Sequence, residues 1–108
     1  MEILFGHGAL ERRCRTQANR ELAWGASASA VGRRLFELFA MGSVADAALL
    51  PGVQLQPDGS AGRYRMRSMD GVELILRPML SGGHEPAVDD ELTTLGTVVI
   101  EKISLLAE

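Results

Sequence analysis

Cysteine is nearly absent: Cys14 is the single one among 108 residues. That excludes an intramolecular disulfide and a cysteine cage for a metal, and makes a reducing compartment the default setting. Aromatic residues are scarce too, at three Phe, one Tyr and one Trp, so Leu, Val, Ala and Met must fill most of a core. No apolar run approaches the roughly 20 residues needed to span a bilayer. The opening Met1-Glu2-Ile3-Leu4-Phe5 carries an acid and no basic region, unlike a signal peptide. The expectation is a cytoplasmic protein without membrane association. Positive charge is also not in surplus. The formal net charge of -3 argues against strong non-specific nucleic-acid binding, because phosphate contacts need excess Lys and Arg.

What is present is ordinary for a globular protein: 46% hydrophobic and 23% charged residues. The length predicts one domain over residues 1–108, with one modest core. The charge is uneven. Residues 1–77 hold ten Lys/Arg against eight Asp/Glu, whereas residues 78–108 hold one Lys and six acids. A locally basic surface is therefore compatible with an acidic chain, although a merely solvated surface is the commoner outcome.

Residues 2–5 form a short strand candidate closed by Gly6-His7-Gly8. From Ala9 the period becomes helical, with Leu10, Cys14, Ala18 and Leu22 on one stripe and Gly25 as the stop. A second helix starts near Ser27 or Ser29, buries Val31, Leu35, Leu38 and Phe39, and ends at Gly42. Ser43 and Asp46 have capping-box spacing for a further turn or two, which Pro51-Gly52 breaks. Two helices joined this closely pack as a hairpin. All that follows reads as strand. Val53–Gln56 is an optional extra strand, residues 78–94 read as a long surface loop, and a last strand runs from Thr97 to Leu106. The fold class is α+β, a helical hairpin on a mainly antiparallel sheet of four or five strands.

The segment Arg63 to Arg77 predicts a β-hairpin whose register follows from burial. A two-residue Asp70-Gly71 turn mixes polar and apolar residues on both faces. A three-residue loop, Met69-Asp70-Gly71 with Gly71 left-handed, pairs Met66 with Leu74 and Tyr64 with Leu76. It also sets Arg67 opposite Glu73 and Arg63 opposite Arg77. One face is then apolar and the other charged, and a one-residue slip destroys that separation.

The residues capable of chemistry have plainer roles to weigh against. His7, between two glycines, reads as a polar turn residue before it reads as a general base, and His84 likewise. Two histidines without a third partner do not make a metal site. Cys14 sits on the apolar stripe as a core residue. Asp89, Asp90 and Glu91 read as an exposed acidic loop sooner than a metal or partner site. Trp24 suits core packing or an interface anchor. Arg63, Arg65 and Arg67 are balanced between a functional surface and a charged strand that discourages edge pairing. No cofactor is predicted.

The order of elements and several phrases resemble plasmid-maintenance killer proteins of the HigB type, in the RelE/ParE toxin superfamily. The phrases are Met1 to Phe5, Leu10-Glu11 with Cys14, Arg34-Leu35 and Glu37-Leu38, and Leu49-Leu50-Pro51-Gly52. Gly62, Leu74-Ile75-Leu76 with Pro78, and Val99-Ile100-Glu101-Lys102-Ile103 complete the series. The resemblance spans nearly the whole chain, and shared order carries it. It implies a RelE-like fold and the toxin of a toxin–antitoxin pair, an mRNA interferase that cleaves messenger RNA on the ribosome and is neutralised by an antitoxin. Such cleavage needs cations for a developing phosphorane and groups that move protons. The resemblance gives those roles to Arg65 and Arg67 as catalytic residues, and to Arg63, Arg65, Arg67 and Arg77 as RNA-binding residues. The chain departs from the pattern at three places. Val53 to Gly62 lacks the family's His and Lys, Glu73 stands where an arginine is usual, and the family's terminal Tyr-His is absent. The departures imply an alternative: a non-catalytic relative that keeps the fold and binds an antitoxin or another regulator.

Overall fold

A computed structural model describes residues 1–59, 62–80 and 95–106. The chain runs β1 (Glu2–Phe5), α1 (Gly8–Cys14), α2 (Gln17–Trp24) and α3 (Ala28–Ala40). Strands β2 (Val53–Pro57), β3 (Tyr64–Ser68), β4 (Val72–Met79) and β5 (Thr97–Leu105) follow. Short 3-10 turns at Gly25–Ser27 and Val44–Leu49 link α2 to α3 and α3 to the sheet. The five strands lie in the order β1-β5-β4-β3-β2, all antiparallel except the β1–β5 pair. The fold class is therefore α+β, with the helices packed on one face of the sheet.

The first helical segment departs from expectation. A single helix carrying Leu10, Cys14, Ala18 and Leu22 on one stripe is replaced by two short ones. Thr16 takes an extended conformation and its side chain accepts a hydrogen bond from the Asn19 amide, so it starts a new helix. The Asn19 side chain then donates to the Arg12 carbonyl at the end of α1. The break resets the helical phase. Leu10 and Cys14 stay buried, whereas Ala18 faces solvent and Leu22 is 88% exposed.

In α3 the residues Val31, Leu38 and, unexpectedly, Arg34 are buried, while Phe39 is 67% exposed instead of joining the stripe. The helix runs to Ala40 with Met41 as its C-cap, just short of the expected stop at Gly42. The Gly42 amide donates to Asp46 instead, and Ser43 makes no side-chain cap, so the expected capping box is replaced by this single reach-back. The Met1 amino group donates to the Phe39 and Met41 carbonyls, satisfying acceptors at the helix end.

The central hairpin has the register that burial demanded. Tyr64 pairs with Leu76, Met66 with Leu74 and Arg67 with Glu73, and Gly71 takes φ +85°. Left-handed backbone there suits glycine alone among common residues. Leu74, Leu76, Met66, Val98 and Ile100 form the sheet side of the core and meet Leu10, Val31, Leu38 and Val44 from the helix layer. Each such fully buried aliphatic chain contributes about 1.5–3 kcal/mol over exposure. β4 extends through Pro78 to Met79, into residues expected to be loop. Proline is tolerated there because β3 stops pairing at Leu76 and leaves β4 only β5 as a partner. The rest of the expected loop, with His84 and the acidic run at 89–91, falls in residues 81–94, outside the described residues.

Candidate functional site

The face of the sheet turned away from the helices gathers the arginines named from the sequence. Alternation along β3 sends Tyr64, Met66 and Ser68 toward the helices and Arg65 and Arg67 the other way. Arg63 precedes that strand, and Arg77 lies on the same side of β4, beyond Glu73 and Ile75. The four guanidinium groups thus share one polar face, as the hairpin register predicts.

Each of them lies beside a carboxylate of the same chain, Arg63 and Arg67 in hydrogen-bonded contact and Arg65 and Arg77 at longer range. The Arg67 Nε lies 2.6 Å from the Glu73 carboxylate directly across the ladder. Arg63 makes a two-pronged contact with Glu101, Nε to Oε1 at 2.8 Å and Nη2 to Oε2 at 3.3 Å. The same Glu101 oxygen is 3.9 Å from the Arg77 Nε. Arg65 lies 3.9 Å from Asp58, just past the end of β2. Asp58, Arg63, Glu73, Ile75, Glu101 and Lys102 line a shallow cavity of about 400 Å³ on this face.

A bulge supplies the central anion. Ile75 pairs with Lys102, but its neighbour Leu76 pairs with Ile100, so Glu101 is the extra residue in β5. A bulge of this kind bends the strand and redirects a side chain. Here it delivers Glu101 between Arg63 and Arg77. The hydrophobic pattern contained the signal: Ile100 and Ile103 are both packed toward the core, yet three residues apart they fall on opposite faces of a regular strand. Neither Glu101 nor Asp58 was picked out as an arginine partner from the sequence, because Glu101 is far along the chain from Arg63 and Asp58 reaches Arg65 only once β2 pairs with β3.

The chemistry available on this face is limited by that pairing. Phosphoryl transfer to a ribose hydroxyl requires cations able to turn toward the phosphate and a group that moves a proton. A carboxylate already beside each arginine repels an incoming phosphate, and Lys102 is the one cation of this face, among the described residues, without such a partner. Tyr64 is on the opposite side of the sheet. His7 caps α1, where its Nδ1 accepts from the Leu10 amide, 3.2 Å away. It is a turn residue, as its setting between glycines suggested. Among the described residues no group of three or more His, Cys, Asp or Glu is arranged to hold a metal ion. No helix among them is long and apolar enough to cross a membrane.

Two other sequence candidates have structural roles. Cys14 is buried, and burial pushes its thiol from the ordinary 9.0 up to about 11 against the opposing influence of Arg20 and Arg13. Trp24 is partly buried against the core. A third group was not foreseen at all. Arg34, buried in α3, lies 3.0 Å from Glu37 and 3.8 Å from Asp70 in the β3–β4 turn. Asp70 also accepts from Ser68 and approaches Arg33 at 3.9 Å. This cluster ties the hairpin tip to the helix.

No protein-family model, curated protein or solved structure matches the chain.

Proposed function

We propose that the chain is a toxin-like component of a toxin–antitoxin pair that acts as a non-catalytic, cytoplasmic binding module, joining an antitoxin or another regulator instead of cutting RNA. The observation that carries this reading is the internal neutralisation of the arginine face. Arg63, Arg65, Arg67 and Arg77 each have a carboxylate of the same chain no more than 3.9 Å away. The resemblance to HigB-type proteins supplies the class, and the pairing argues for binding over cleavage. A RelE-like sheet whose arginines already lie beside carboxylates serves as a rigid platform and leaves a phosphate little to gain.

A second reading stays in play because four arginines share one face: an mRNA interferase in which Arg65 and Arg67 act on the phosphate and Arg63 and Arg77 hold the RNA on the ribosome. Inducible expression in a bacterial host separates the two. The binding-module reading expects normal growth and intact transcripts at high expression. Growth arrest with cut transcripts, abolished by Arg65→Ala with Arg67→Ala, would establish the ribonuclease instead.

A further inference from the structure

Two neighbouring cations without an acidic partner lie on the helices, whereas among the described residues of the sheet only Lys102 has none. Residues 8–24 carry four arginines and two glutamates. Arg15 is 3.9 Å from Glu11, and Arg20 is bonded to Gln17 and to the Cys14 carbonyl. Arg12 and Arg13 are both exposed, and among the described residues neither has a carboxylate within salt-bridge reach. They flank an open groove of about 490 Å³ between α1 and α2, lined also by Ala9, Asn19, Leu22 and Ala23. Leu22 stands almost wholly in solvent in this groove, because the break at Thr16 turned it off the core stripe.

We infer that this groove is a docking site for an acidic amphipathic helix of a partner protein. The floor is aliphatic and takes a Leu-like side chain, burying Leu22 in return. Arg12 and Arg13 on the rim call for carboxylates flanking that apolar stripe. A nucleic acid fits less well: the groove holds no aromatic side chain on which a base could stack, and only two arginines to meet phosphates. The inference rests on the binding-module reading for its biological setting and adds where the partner lies: on the helix layer, behind the sheet whose own arginines already lie beside carboxylates.

A fluorescein-labelled helical peptide of about five turns, with leucines along one stripe and glutamates beside it, is the probe. Its controls are a twin with lysine for glutamate and an oligouridylate RNA. Fluorescence anisotropy with the full chain is expected to show binding of the acidic peptide alone, weakening as salt rises. Arg12→Glu with Arg13→Glu weakens it by about tenfold or more, and Leu22→Ser by about tenfold. Arg65→Ala with Arg67→Ala leaves it unchanged. All three helix positions are exposed, so thermal melts of those variants should match the parent. Absence of acidic-peptide binding, equal affinity in the helix variants, or preference for the lysine peptide or RNA would overturn the inference. Loss in the sheet variant alone moves the partner to the sheet: the docking assignment falls and the binding-module reading stands. Cut transcripts on induction, with the peptide still lost in the helix variants, have the reverse meaning.

Discussion

Replacing Glu101 by Gln removes one charge at the centre of the arginine face and keeps the shape of the side chain. The carboxylate makes two close contacts with Arg63 and lies near Arg77. An exposed pair is worth at most about 1 kcal/mol, and hydrogen bonds to charged groups about 1.5–3 kcal/mol. The Arg63 side chain is 43% exposed and Glu101 23%, so solvent screens the pair and the lower part of that range applies. The expected loss is about 1–2 kcal/mol, or a fall in midpoint of roughly 5–10 °C for a domain of this size. Thermal denaturation followed by circular dichroism measures it, and half-molar salt should shrink the difference. A double-mutant cycle with Arg63→Met isolates the pair and should return a coupling near 1 kcal/mol. A Gln variant as stable as the parent, with no coupling to Arg63, would refute the idea that this glutamate holds the arginines.

Gly71→Ala places a side chain at φ +85° and should cost about 1–2 kcal/mol in urea unfolding; an unchanged midpoint would contradict the turn geometry. Arg34→Met strands the half-buried Glu37 and frees Asp70, with an expected cost of about 2–3 kcal/mol. Adding Glu37→Leu should recover part of it. Cys14 should resist a thiol reagent at neutral pH and react only as fast as the chain opens, because burial disfavours the thiolate. Its raised value also means that the stabilisation is complete below 9 and is lost as pH rises from there through about 11; a readily labelled native thiol would contradict the buried placement.

The parts of the fold legible in the sequence were those set by local pattern. Alternation of Tyr64, Met66, Leu74 and Leu76 fixed the hairpin register, with Gly71 supplying the one left-handed residue. The helix-to-strand order was legible for the same reason. Where a side chain could satisfy the backbone in more than one way, periodicity misled. Thr16 broke the first helix and exposed Leu22, and α3 buried Arg34 while exposing Phe39. Arg34 is buried because Asp70, far along the chain, reaches it from the hairpin tip, and no window along the sequence contains both. The site was half legible. The arginines could be placed on one face from their spacing, but Asp58 comes from just past the end of β2 and Glu101 from β5 through a bulge.

The affinity of the full chain for single-stranded RNA as a function of salt tests the neutralised-face account most directly. The parent is predicted to bind weakly with a shallow salt dependence. The triple variant Asp58→Asn, Glu73→Gln, Glu101→Gln should bind more tightly, its log–log slope steeper by about 2, as Arg63, Arg65 and Arg67 turn to phosphates. Tight, steeply salt-dependent binding by the parent, unchanged in the triple variant, would contradict the claim that the chain's own carboxylates occupy its arginines.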